Sequence, residues 1–199
     1  MMLPTHALSG MVLALPVVLA APELSGIALV AGLVGGILPD LDMYVGHRKT
    51  LHYPFYYSFA AAVAVALAVA VQSAAMIGVA VLLVAAAVHS VADAFGGGLE
   101  LRPWEATSDR AVYDHYNERW VAPRRWISYD GSPADFLLSL SLAVPLLSVV
   151  DGPLRWIVVA TVAVAGVYAV LRRRLATLAQ RVVTLLPDRL HTHVPARYL

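Results

Sequence analysis

The sequence predicts an all-α fold, a polytopic helical membrane protein of about six transmembrane helices with a polar site at one membrane boundary. Three observations carry that prediction. The 199-residue chain is 60% hydrophobic and only 14% charged, against roughly 25% charged residues in soluble domains, and its mean hydropathy is +0.72. Its apolar residues fall in runs long enough to cross a hydrocarbon core of about 30 Å. Its positive charges, once those runs are threaded through a bilayer, gather on one side. The chain contains no cysteine, so disulfides and thiolate metal ligands are excluded and any metal must be held by nitrogen and oxygen.

Spans are expected at 5–21, 24–38, 55–71, 74–95, 134–150 and 154–171. The first lies in "MMLPTHALSGMVLALPVVLAAPE", which has an apolar core but no Lys or Arg before it. A cleaved signal peptide normally carries a positive leading region, so this segment is expected to stay as a helix. The second carries Gly32 and Gly36, four residues apart, a spacing that suits close helix packing through small side chains. Tyr53 to Val88 holds no charge and is broken only at Gln72-Ser73, so it is expected to fold as a helical hairpin, the third and fourth spans. Several runs are near the lower end of the ~17–25 residues a spanning helix needs, so four or five spans also fit. Residues 1–171 then form a single membrane domain, with 96–133 as an interfacial loop or lid, and 172–199 form a basic amphipathic tail.

With the N-terminus on one side, the segments 39–54 and 96–133 and the tail share that side. They carry two, five and six of the fourteen Lys and Arg residues, and Arg155 alone falls opposite. The positive-inside rule makes the shared side cytoplasmic, with both termini there, in a plasma or inner membrane.

The polar residues gather at the same boundary. His6 is near the start of span one. Asp40 and Asp42 follow span two, where Pro39 is expected to stop the helix. His47, Arg48 and His52 follow in the same loop, and His89 and Asp93 share one face of span four at i, i+4 spacing. Each has a plain alternative: a solvated histidine, a turn-starting aspartate, a headgroup-facing basic loop. Asp93 resists it, because a charge at the end of a long apolar helix is costly and usually functional. Three carboxylates among four imidazoles need positive charge; Arg48 and Lys49 can supply some of it, and a divalent cation would supply more. Mixed His and Asp donors suit zinc, manganese or iron rather than calcium. His6, Asp40, Asp42, His47, His52, His89 and Asp93 are the ligand candidates. One catalytic zinc takes three protein ligands and leaves a position open, so seven candidates imply two ions or residues that orient the ligands.

The pieces "THALSG", "GGILPDLD", "HRKTLH" and "HSVAD", in that order over about residues 1–100, resemble the inner-membrane-associated metal-dependent hydrolase family that includes a LexA-binding bacterial member. The resemblance implies metal binding by the histidines and aspartates of those pieces. The family often has Ser after the second histidine of the loop, where this chain has Tyr53-Pro54.

The loop 96–133 holds Trp104, Tyr113, Tyr116, Trp120, Trp126 and Tyr129. It is expected to be an interfacial aromatic belt, or a lid whose Arg119, Arg124 or Arg125 meets a phosphate. His115 is a further ligand candidate. In the tail, Leu175, Leu178, Val182 and Leu185 line one face, as in a helix lying on anionic headgroups or extending span six. Nucleic-acid binding is the weaker reading of the tail arginines.

These features together predict a membrane-embedded, metal-dependent hydrolase acting at the cytoplasmic interface on a phosphoester or lipid, with one or two divalent ions, Zn²⁺ or Mn²⁺ first. Asp42 would orient water or act as base, and Arg48 would clamp an anionic group. The other class is a non-catalytic metal-binding regulator or scaffold with a protein partner on the cytoplasmic side. An ion or proton transporter would place ionisable groups near the bilayer midplane, where this chain has none.

Overall fold

The computed structural model describes residues 1–192, 194 and 198. Among these the chain is all-α apart from one two-stranded hairpin. The first apolar segment is two helices, α1 (Leu3–Leu13) and α2 (Leu15–Ala20), parted at Ala14. Pro16 accounts for the break, since it offers no N–H and its ring crowds the carbonyl four residues earlier. Then come α3 (Ser25–Ile37), α4 (Pro54–Val71), α5 (Ala74–Ala92), α6 (Pro133–Val149), α7 (Gly152–Thr184) and the short α8 (Asp188–His191).

Among the described residues, five segments are long and apolar enough to cross a membrane: Leu3–Ala20, Pro22–Asp42, Pro54–Val71, Ala74–Phe95 and Gly152–Thr184. The remaining expected span corresponds to α6, an apolar helix of 17 residues with Pro145 inside it. The break at Gln72-Ser73 is a tight helical hairpin. Gln72 takes a left-handed conformation (φ +53°) and Ser73 caps α5 by accepting the N–H of Met76. The second span does not stop at Pro39. α3 passes into a 3₁₀ turn, Leu38–Asp42, because proline lacks a donor that the first turn does not need. α7 is one continuous helix of 33 residues. At 1.5 Å per residue it is about 50 Å long, well beyond a 30 Å hydrocarbon core. Arg172 to Thr184 therefore continue the preceding helix. Of the tail 172–199, residues 193, 195–197 and 199 lie outside the described residues.

α1 is central, packing against α3, α5, α6 and α7 around a core that includes Leu8, Met11, Leu29, Val81, Leu146 and Val158. Glycine lets α1 and α3 meet backbone to backbone. A Cβ on Gly32 would lie 2.2 Å from the Gly10 carbonyl oxygen, and one on Gly36 would lie 2.3 Å from that of His6. This contact brings His6, early in α1, to the level of the 3₁₀ turn. α6 is tied to the same end: Asp135 accepts the Thr5 hydroxyl at 2.6 Å and the backbone N–H groups of Met2 and Gly131 at 2.7 and 2.9 Å.

The segment after α5 holds more than a loop. β1 (Val112–Asp114) pairs antiparallel with β2 (Arg119–Val121), setting Tyr113 opposite Trp120. The backbone N–H groups of Arg124, Arg125 and Ile127 donate to Ala94, Gly96 and Phe95. The segment thus folds back onto the end of α5, close to the polar residues.

Candidate metal centre

Four elements deliver the polar side chains to one point. α5 presents His89 and Asp93 one turn apart. The 3₁₀ turn after α3 presents Asp40 and Asp42. The loop into α4 supplies His47, Arg48 and His52, and α1 supplies His6. All except His47 are buried, and His47 is partly so.

Asp40, His52, His89 and Asp93 form a group in which each residue offers one donor atom and all donors lie within 4.8 Å of one another. Nε2 of His52 is 3.6 Å from Asp40 Oδ1 and 3.2 Å from Asp93 Oδ2. Nε2 of His89 is 3.5 Å from Asp40 Oδ1 and 3.7 Å from Asp93 Oδ2. A tetrahedral ion with ligand bonds of 2.0–2.1 Å would space its donors by about 3.3 Å, close to these four separations. Buried His52 Nε2, His89 Nε2 and Asp93 Oδ2 have no aligned hydrogen-bond partner. Buried polar atoms are normally satisfied, so three orphans converging at ligand spacing fit a cation.

The histidine orientations fit as well. His89 donates from Nδ1 to the Gly36 carbonyl at 2.7 Å, and His52 donates from Nδ1 to Asp42 Oδ2 at 3.0 Å. Both bonds turn Nε2 towards the group, as ligating histidines are held by a carbonyl or carboxylate on the far nitrogen. Burial disfavours charge on His52, but the carboxylates of Asp40, Asp42 and Asp93 outweigh it and push its pKa up to about 10. A proton and a metal ion therefore compete for that nitrogen.

The other three candidates surround the group. Asp42 uses both oxygens elsewhere: Oδ1 accepts from His47 Nδ1 (3.0 Å) and the Arg48 backbone N–H, and Oδ2 accepts from His52 and the Leu51 N–H. His47 Nδ1 lies 3.9 Å from Asp40. His6 stacks on His89 with ring centroids 3.6 Å apart, and its Nε2 meets Asp93 Oδ1 at 3.1 Å, the oxygen turned away from His52. The amino nitrogen of Met1 is 3.0 Å from that same oxygen. Arg48 is buried with φ +59°, its Nε 3.3 Å from Asp93 Oδ2, and its Nη1 donates to Gly97 at 2.8 Å. Its carbonyl accepts from the Tyr113 N–H at 2.9 Å. The guanidinium thus joins Asp93 to the segment after α5. His115 lies apart from the group, its ring against Tyr53 and Tyr113.

A cavity of about 300 Å³ lies beside the group, lined by Asp40, His47 and Arg48 and also by Glu100, Asp130, Tyr168 and Arg172. It continues into a groove of about 620 Å³ along the C-terminal half of α7, lined by Leu175, Leu178 and Val182. Of its lining residues, Glu100, Asp130, Tyr168 and Arg172 have no shared local pattern to reveal them in the sequence. Gly36 stands out there for its spacing, a packing signal; its carbonyl is a partner that sequence spacing does not encode.

Comparison with family models, with curated proteins and with solved structures finds no match.

Proposed function

We propose that the chain is a membrane-embedded metal-dependent hydrolase acting on an amphiphilic phosphoester at the cytoplasmic interface of the inner membrane. The observation that carries this reading is the set of unsatisfied donors on His52, His89 and Asp93, together with Asp40, beside a cavity of about 300 Å³. His52, His89, Asp40 and Asp93 would hold one divalent ion, Zn²⁺ or Mn²⁺ by donor chemistry. When bound, such an ion supplies Lewis acidity, polarising an ester or phosphoryl group and acidifying water. Asp42 and the Gly36 carbonyl keep the two imidazoles turned inwards. Arg48 steadies Asp93, and the apolar groove along α7 supports an acyl-bearing substrate. The ordered pieces shared with the inner-membrane-associated metal-dependent hydrolases favour the same reading, and the one-sided distribution of Lys and Arg favours cytoplasmic termini.

A second reading is a non-catalytic metal-binding regulator with a cytoplasmic protein partner. Four protein donors around one point favour it, since structural zinc sites are closed. The cavity at Asp40 argues for an accessible ion. The test is metal analysis of the purified protein and of Asp93→Ala, followed by a panel of phosphodiesters with Zn²⁺ or Mn²⁺ added. The hydrolase reading expects about one ion per chain, its loss in Asp93→Ala, and turnover that follows metal content. Stoichiometric metal without turnover of any panel member favours the regulator.

A further inference from the structure

The turn that carries Asp40 and Asp42 has a second face. Both carboxylates are buried, while Leu41, Tyr44 and Val45 are 66%, 83% and 70% exposed. No charge separates them beyond Asp42 itself, because Met43, Tyr44, Val45 and Gly46 follow it. Large apolar side chains left exposed together mark an interaction surface. The patch follows α3 directly. That helix exposes Ile27, Val30 and Val34, whose i, i+3, i+7 spacing makes one stripe, and the segment Pro22–Asp42 is long and apolar enough to cross a membrane. The neighbouring span ends carry matching residues. Phe55, at the start of α4, stacks on Tyr116 with ring centroids 4.3 Å apart. Phe95, at the end of the α5 segment, meets Trp126 at 4.6 Å. Tyr116 and Trp126 are both exposed. Tyrosine and tryptophan at the ends of spans mark the headgroup level of a bilayer.

We propose that Leu41, Tyr44 and Val45 form a wedge seated in the headgroup layer of the bilayer, so that the metal centre meets the phosphoryl groups of lipids resident in the same leaflet. The wedge rests on the exposed apolar turn and its place at the end of a span. The lipid substrate rests on the hydrolase reading above. Distances connect the two. Neighbouring Cα atoms are about 3.8 Å apart, so Leu41 stands one residue from each aspartate and the donor group lies within about 10 Å of it. A hydrocarbon core of about 30 Å within a bilayer of about 40–45 Å leaves each headgroup layer about 5–8 Å thick. A wedge in that layer therefore holds the centre within reach of lipid phosphates, and a lipid need not leave the leaflet to present its phosphoryl group.

The chain has no cysteine, so single cysteines can be labelled without background. Leu41→Cys, Tyr44→Cys and Val45→Cys, each carrying a nitroxide, are placed as Zn²⁺-loaded protein in nanodiscs of phosphatidylcholine and phosphatidylglycerol. Electron paramagnetic resonance then compares collisions with oxygen and with a water-soluble nickel chelate. Val30→Cys is the lipid reference and Arg189→Cys the water reference. Zinc content at the wild-type level shows that each variant is folded, and the three positions are read independently. Their labels should show a several-fold higher ratio of oxygen to nickel collisions than the label at 189. A ratio equal to that at 189 would overturn the proposal. So would protection from both reagents, which would place a second copy or a protein partner on the patch. The lipid half is read by turnover. Tyr44→Asp combined with Val45→Asp should slow cleavage of the nanodisc phosphatidylglycerol about tenfold or more while leaving that of soluble bis(p-nitrophenyl) phosphate within about twofold, since only the lipid depends on the buried apolar wedge. An equal loss on both esters, or no loss on either, would overturn the lipid half. If the labels lie in the bilayer but neither ester is ever cleaved, the wedge stands and the hydrolase reading falls.

Discussion

His52 donates from Nδ1 to Oδ2 of Asp42 across 3.0 Å, and this bond leaves Nε2 as the nitrogen that faces Asp40 and Asp93. Asp42 therefore acts on the centre through His52. Asp42→Asn should retain the ion at full stoichiometry but weaken its affinity about 10- to 100-fold, the usual effect of losing a partner behind a ligand. Asp93→Ala should abolish binding. Competition titration against a zinc chelator separates the two outcomes, and equal loss in both variants would make Asp42 a direct ligand.

Gly36 carries two duties at one point, a bare Cα against His6 and a carbonyl that receives the His89 Nδ1–H. Gly36→Ala drives a methyl to within 2.3 Å of the His6 carbonyl oxygen, so α1 and α3 must separate and His89 must lose its orientation. Overpacking of this kind costs about 1–3 kcal/mol. Gly26→Ala is the control on the same helix, because its Cβ would meet nothing within 4 Å. Thermal unfolding in detergent should show a lower Tm for Gly36→Ala only, with weakened metal binding. An unchanged Tm in both variants would refute the close packing.

The proton on His52 sets the pH dependence. Its pKa in the folded chain is raised from 6.5 to about 10. Without a cation, the protonated ring contributes stability that is fully present below about pH 6.5 and is lost as pH rises through about 10. A metal ion takes the same nitrogen, so binding between these pH values expels that proton. Affinity should rise about tenfold per pH unit from pH 6.5 to 8, with about one proton released per ion from this residue. Calorimetry in buffers of different ionisation enthalpy counts the protons. Metal binding that weakens with rising pH over this range would contradict the ligand role of His52.

The apolar helices and the meeting of His89 with Asp93 were legible in the sequence, because long uncharged runs and an i, i+4 spacing translate directly into geometry. How the seven candidates sort around the centre was not. Asp40 and Asp42 are two residues apart in a 3₁₀ turn of about 120° per residue, so they point to different partners. A helix ending at Pro39 would have left both in a loop of unknown direction. The short strands at Val112–Asp114 and Arg119–Val121 carry aromatic residues that an interfacial belt would carry equally well, so composition did not separate the two. Arg48 was legible as a cation near the site, but its burial and its contacts with Gly97 and Asp93 depend on how the segment after α5 folds back.

Arg48 gives the last prediction. Its side chain is 6% exposed and its Nε lies 3.3 Å from Asp93 Oδ2, while its Nη1 donates to the Gly97 carbonyl and its own carbonyl accepts from Tyr113. Removing one partner of a buried ion pair typically costs about 3–5 kcal/mol, because the other charge is left uncompensated. A bound divalent ion would neutralise Asp93 in its place, so the cost of Arg48→Ala should be largest when metal is stripped and smaller when it is loaded. Arg48→Lys should restore part of the charge balance but not the Gly97 contact, since an ammonium lacks the planar fork. The backbone adds a separate effect. A φ of +59° is unfavourable for any residue but glycine, by roughly 1–2 kcal/mol. Arg48→Gly should therefore be more stable than Arg48→Ala although both lose the same guanidinium. Limited proteolysis of the 96–131 segment, read with and without Zn²⁺, reports the docking of that segment. The expected order of protection is wild type, Lys, Gly, Ala, and it should compress on metal loading. If Arg48→Ala resists proteolysis as wild type does in the absence of metal, Arg48 does not hold this segment to the centre.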